Sequence, residues 1–271
     1  MERTGGYPID RREGEIDRLR IQAAALEFDA GVMLDRIGVA PGWRCLDLGC
    51  GPGGIVEALS LRVGPSGRVV GLDSDAVFLE SARVLARSHG LDNVEFVLGD
   101  AYRTQLPPRS FDLVHARFVA STAGQPQELI AEAVKLARPG GFVAFQEPDV
   151  STLKCYPPHP AWDRLARLCE QVFERAGGDV RLAQRLYSMA RIAELEDVQY
   201  RPFVVGFRSS DAMVDYLPAT VESLRSAIVR HRLIDEEELN EALVACRRHL
   251  AKPDTVFTYP TVAQVWGRKR K

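Results

Sequence analysis

Apolar residues recur at helical spacing through residues 13–37, where Ile16, Leu19, Ala23 and Leu26 share one face, and Pro41-Gly42 ends the pattern. A short apolar run, Trp43 to Leu48, then leads into a glycine cluster and predicts a buried strand. Further strands are predicted at Arg68–Leu72, Val94–Leu98, Phe111–Ala116 and Gly141–Gln146. Between them fall helices at 53–62, ended by Gly64-Pro65, at 75–89, closed by Gly90, and at Gln127–Ala137, stopped by Pro139-Gly140. Several strands are continuous apolar runs and alternate with helices about every 25 residues, which predicts a parallel sheet covered on both faces.

After Pro148 the pattern changes. Helices are predicted at 161–176, with Trp162, Leu165, Leu168, Cys169 and Val172 on one face, at 181–195, at 210–233 with a kink before Pro218, and at 235–251. Strands are predicted at Val198–Phe207, interrupted by Pro202, and at Thr255–Trp266. The organisation expected is a helical cover at 1–40, a ligand-binding core at 41–150, and helical lid segments with a closing helix and strand hairpin at 151–271.

Composition narrows the function. The 271 residues are 46% hydrophobic and 27% charged, with a net charge of −2, so no basic excess points to nucleic acid. The run Arg268–Lys271 is read as a solvated tail. Five cysteines (Cys45, Cys50, Cys155, Cys169, Cys246) show no C-x-x-C spacing and are read as reduced thiols. The polar first residues lack the apolar stretch of a signal peptide, and no run approaches the ~18 apolar residues of a membrane span. A soluble, cytoplasmic protein, monomeric or homodimeric, is expected, and the scattered histidines predict no metal site.

The chemistry centres on Cys45–Gly54, CLDLGCGPGG, where Gly49, Gly51 and Gly54 match G-x-G-x-x-G between a strand and a helix. Glycines there permit a tight turn and close approach of a ligand to the backbone, at the carboxyl ends of the strands. Asp47, two residues before the first glycine, is awkward beside a pyrophosphate but suits a cationic ligand. Asp73 ends the second strand, where a carboxylate can accept both ribose hydroxyls. Asp100 follows the third strand and can accept from an adenine amine, with the Ala101 N–H facing a ring nitrogen. Helix capping or loop hydrogen bonding remains the alternative for Asp47 and Asp100, and a turn role for Asp73.

The consecutive segments LDLGCGPGG, VVGLDSD, EFVLGDA, FDLVHARFV and LARPGGFVAFQEPD resemble the ordered motifs of class I S-adenosylmethionine (SAM) dependent methyltransferases over residues 40–150. The likeness is to the small-molecule branch that includes quinone-biosynthesis and natural-product enzymes. It implies a Rossmann-like seven-stranded sheet of order 3-2-1-4-5-7-6, the last strand antiparallel, and transfer of the SAM methyl to a small molecule with release of S-adenosylhomocysteine (SAH). By that resemblance Gly49, Cys50, Gly51 and Gly53 border the methionine part of SAM. Asp73 holds the ribose with Ser74 beside it, Asp100 and Ala101 meet the adenine, and Arg117 is a cofactor-side position. Arg20 or Gln22, in a covering N-terminal segment that also holds Tyr7, would bind the cofactor carboxylate.

Methyl transfer needs alignment and desolvation more than a fixed catalytic motif. Candidates for contact with the acceptor are His115, Glu147 and His159, with Gln146, Asp149 and Tyr156 nearby in sequence. After the fourth strand stand His115, Ala116, Arg117 and Phe118, not the Asn/Asp-Pro-Pro-aromatic run of enzymes that methylate base amines. Three other functions stay open: SAM binding without methyl transfer, methylation of protein or RNA, and a nicotinamide-dependent oxidoreductase.

Overall fold

The computed structural model describes Ile9 and residues 14–271. Its first half is α1 (Glu15–Ala25), α2 (Glu27–Ile37), β1 (Arg44–Leu48), α3 (Val56–Val63), β2 (Arg68–Asp73), α4 (Ala76–Ser88), β3 (Val94–Leu98), β4 (Phe111–Arg117), α5 (Ala120–Ala123), α6 (Pro126–Leu136) and β5 (Ala137–Asp149). The second half is β6 (Lys154–Tyr156), α7 (Pro160–Arg175), α8 (Ala183–Ile192), β7 (Glu196–Phe203), β8 (Gly206–Arg208), α9 (Tyr216–Ser223), α10 (Arg225–Arg230), α11 (Glu236–Leu250), β9 (Val256–Thr258) and β10 (Thr261–Arg268).

Seven strands form one sheet in the order β3-β2-β1-β4-β5-β10-β7. β1 to β5 are parallel, and β10 runs antiparallel to both β5 and β7. Counted within this sheet alone, the order is the expected 3-2-1-4-5-7-6. The chain reverses between β2-β1 and β4, and that switch point opens a crevice at the carboxyl ends of β1 and β4.

The pleat sends alternate side chains to opposite faces. Leu46, Leu48, Val114, Ala116, Val143 and Phe145 pack with α6 and α8, while Cys45, Leu113, Phe142 and Ala144 pack under α2 and α3. A third core is built by α7, α9, α10 and α11 with the sheet β6-β9-β8, and Leu26, Trp162, Phe257 and Tyr259 lie in it. This third body sits beside the crevice, with α1 packed against α9.

Several element boundaries differ from the periodicity. The helix predicted at 13–37 breaks at Leu26, because α1 faces the third core while α2 faces the sheet, and one straight helix cannot serve both. The strand predicted at 198–207 divides into β7 and β8, which belong to different sheets, and 255–266 divides likewise at Pro260 into β9 and β10. Pro202 is tolerated because β7 is the sheet edge. Pro139-Gly140 does not separate helix from strand; β5 begins at Ala137 and runs through them. The break in 210–233 falls at Leu224, and Pro218 lies inside the first turn of α9, where its missing N–H costs nothing. The short helix α5 and strand β6 carry too few residues for periodicity to register.

Candidate active site

The loop after β1 turns back on β2. The Gly49 and Cys50 N–H groups both donate to Leu72 O, at 2.7 and 3.0 Å, and the Gly51 N–H donates to Asp73 Oδ2 at 2.8 Å. Gly49 has φ +68°, and a Cβ on it would lie 2.4 Å from Val119 Cγ2, so the turn admits glycine alone. Gly51 has φ +55°, and a Cβ there would meet nothing within 4 Å, because the loop faces open space.

That space is a cleft of about 960 Å³. Asp47, Gly49, Cys50, Gly51, Gly53, Asp73, Ser74, Asp100, Ala101 and Arg117 all line it, as do Arg20 and Gln22 from α1. Tyr7 lies outside the described residues. The Asp73 carboxylate takes two backbone donors, Gly51 N and, at 2.9 Å, Asp75 N. A carboxylate has about four acceptor positions, so about two remain toward the cleft. Burial raises its pKa, against the lowering effect of those two bonds. Asp75 caps α4 by accepting from Val77 N and Phe78 N, and Asp100 accepts from Tyr102 N at 2.9 Å. Arg20 donates to Ser81 Oγ of α4 at 2.9 Å, and its Nε is buried without a partner among the described residues.

Asp47 points to the α2 face, and its Oδ1 lies 2.7 Å from His115 Nδ1 on the neighbouring strand. His115 Nε2 is 2.9 Å from Gln146 Nε2 on β5, and Gln146 Oε1 accepts from Gln264 Nε2 on β10 at 2.9 Å. Gln264 Oε1 accepts in turn from Arg201 of β7, which also pairs with Asp29 of α2. Since the Gln146 oxygen is taken by Gln264, its amide N–H must donate to His115 Nε2. The His115 proton then sits on Nδ1 and donates to Asp47. A polar row thus crosses five strands and holds one carboxylate at the glycine loop.

His115, Glu147 and His159 do not line the cleft. Both ring nitrogens of His115 are committed within the sheet, so it positions Asp47. The pleat turns Glu147 away from Gln146 toward the opposite face, where its carboxylate accepts from Ala120 N and Ser121 N at 3.1 Å each. Burial pushes the Glu147 pKa up to about 7, against the lowering effect of those bonds. His159 caps α7, accepting from Ala161 N at 3.2 Å, and stacks on His249 with ring centres 4.4 Å apart. The five cysteines are all buried, and desolvation raises the thiol pKa values of Cys45, Cys50, Cys155, Cys169 and Cys246.

Sequence reasoning passed over Arg18, Tyr216, Thr220 and Tyr259, which also line the cleft. Arg18 makes a two-pronged ion pair with Glu15 at 2.6 and 2.9 Å, and Ser223 donates to the same carboxylate. Gln22 Nε2 donates to Tyr259 Oη at 2.5 Å. Three of these four come from the last quarter of the chain, more than 100 residues past the glycine loop, Asp73 and Asp100, with no motif around them. Arg18 stands in α1 among four ionisable residues, Glu15, Asp17, Arg18 and Arg20, so nothing in the sequence singled it out.

Residues 40–194 match a family described as a methyltransferase domain. The chain belongs to that family. Over 138 residues it is 39% identical to an uncharacterised 37.1 kDa protein in a transposon of Streptomyces fradiae, covering 51% of this chain and 39% of that protein. It is 34% identical over 143 residues to a nocamycin O-methyltransferase of Saccharothrix syringae, covering 52% and 49%. The chain spans about half the length of the curated relatives it matches. Among solved structures, the YcgJ protein of Bacillus subtilis superposes with a TM-score of 0.58 at 17% identity, over 89% of this chain and 97% of that one. A (4+2)-cyclase, SpnF, gives 0.57 at 18%, over 97% and 86%. At such identities these structures speak for the shared fold. The chain is thus a methyltransferase-family protein with the Rossmann-like sheet of that class. Among its described residues, no helix is long and apolar enough to cross a membrane, and no group of three side chains could hold a metal ion.

Proposed function

We propose that this chain transfers the methyl group of SAM to a small-molecule acceptor and releases SAH. The observation that carries the reading is the junction of the glycine loop with Asp73. One carboxylate fixes the loop through the Gly51 N–H and keeps acceptor capacity facing an open cleft at the switch point. A nucleoside with a cationic tail fits this donor and acceptor set: Asp73 with Ser74 toward the ribose, Asp100 and Ala101 toward the adenine, and Asp47 behind the loop toward the positive charge. The Arg20 Nε, without a partner among the described residues, fits a carboxylate on the same ligand. SAM supplies a methyl on a sulfonium, activated for in-line displacement. The residues bind, align and exclude water, with α1 and the third core closing the cleft over the acceptor. The size and apolar lining of the cleft favour a small molecule over protein or RNA.

Calorimetric titration with SAM, SAH and NAD tests the reading. SAM and SAH should bind in the micromolar range and NAD should not. Asp73→Asn should weaken SAM by about 1–3 kcal/mol, roughly 5- to 150-fold, through the loss of charged acceptors. Tight NAD binding, or SAM affinity unchanged in the variant, overturns it. SAM binding with no SAH formed across an acceptor screen would leave a SAM-binding protein without methyl transfer.

A further inference from the structure

The cleft has a second polar feature on its lid side. Arg117 stands at the end of β4 on the same face as Asp47 and His115, and its Nη1 is buried with no hydrogen-bond partner among the described residues. Desolvation lowers its pKa, and the neighbours acting on it are Asp47 and Tyr259; a guanidinium stays charged regardless. Tyr259 is 1% exposed. Its oxygen accepts from Gln22 Nε2, and the Tyr216 ring lies against it with ring centres 4.8 Å apart. A phenol offers one proton and two lone pairs. Gln22 occupies a lone pair, which leaves the Tyr259 proton able to donate.

Two buried donors therefore line one chamber, and among the described residues neither makes a hydrogen bond to the acids near it. Asp47 gives Oδ1 to His115 and acts on Arg117 through space, and Glu15 is held by Arg18 and Ser223. Buried donors rarely go unmatched, since each costs about 1–3 kcal/mol. The surrounding wall is apolar, with Phe118, Phe173 and Val180. Arg20, on the β2 side of the glycine loop, is a separate orphan donor, so a cofactor carboxylate does not need Arg117.

We propose that Arg117 and Tyr259 together bind an anionic oxygen of the methyl acceptor, a carboxylate or an acidic phenolate or enolate on an apolar body. The proposal rests on the methyltransferase reading above for the word acceptor; the anion site itself does not. Charge-assisted bonds from a guanidinium and a phenol select an ionised oxygen over its neutral isostere.

The test is calorimetry on the full chain saturated with SAH, titrated with benzoate and 2-naphthoate, with 4-nitrophenolate, and with benzamide and 2-naphthamide. At least one anion should bind tenfold or more tightly than its amide, and the preferred arm separates carboxylate from phenolate. Arg117→Gln should abolish that preference and Arg117→Lys should keep part of it. Tyr259→Phe, nearly isosteric, should reduce it. SAH affinity should stay within threefold in each. Equal binding of acids and amides, or no binding by any member of the panel, overturns the proposal. So does an Arg117→Gln variant that loses SAH and the acids by the same factor, which would put Arg117 on the cofactor carboxylate. The same panel on the ligand-free chain separates the two readings. An anion preference that survives there without any SAM or SAH binding keeps the site and discards the methyltransferase function.

Discussion

Glu147 offers a quantitative check on how the wall behind the cleft is built. Its side chain is fully buried, and two backbone N–H groups at the start of α5 donate to it. In an unfolded chain the carboxyl titrates near 4.5, and in the fold burial lifts it to about 7. The fold therefore holds a proton that the unfolded chain has released. Stability contributed by this group is fully present below pH 4.5 and is lost as pH rises through 7. At 1.36 kcal/mol per pH unit, the loss amounts to about 3 kcal/mol. Glu147→Gln removes the titration. The amide keeps one oxygen for one N–H but turns its NH₂ toward the other, costing about 1–3 kcal/mol at pH 5. By pH 8 the wild-type protein should have lost most of that advantage. Urea unfolding of both proteins at intervals from pH 5 to 8 measures the difference between the two curves. Parallel curves would refute the buried, protonated carboxyl. A variant that folds and binds SAM normally yet transfers no methyl would instead put Glu147 in the chemistry, against its position on the far face of β5.

Two further outcomes follow from contacts near the cleft and the lid. Gly49→Ala forces a Cβ to 2.4 Å from Val119 Cγ2 at φ +68°, and strain of about 1–3 kcal/mol should lower both the Tm and the stabilisation by added SAM; an unchanged Tm would show that the loop differs from this geometry. His159→Ala should cost about 1 kcal/mol of stability through the lost cap, while His159→Asn should restore it, with methyl transfer unaltered in both. The same cap makes wild-type stability fall as pH drops below about 6.5, since burial and His249 hold the His159 pKa down and a protonated Nδ1 cannot accept from Ala161. A pH-independent His159→Ala difference would contradict this.

The sheet and its glycine loop were legible in the chain because each rests on local information. Apolar runs of strand length alternate with helical periodicity, and Gly49 to Gly54 sit where a strand must turn into a helix. Asp47, Asp73 and Asp100 are likewise readable, since a residue at the carboxyl end of a parallel strand faces the crevice whatever the rest of the chain does. Which face of β4 and β5 meets the ligand is not local. Gln146 and Glu147 are adjacent in sequence, and only the packing of α2 and α6 on opposite faces decides that one joins the row behind Asp47 and the other braces α5. The same holds for Tyr216, Thr220 and Tyr259. Their meeting with Arg18, Gln22 and Arg117 depends on a third core that folds over the crevice, bringing together residues as far apart as Gln22 and Tyr259. Periodicity records which residues one element buries. What two distant elements bury against each other is settled only when their surfaces meet.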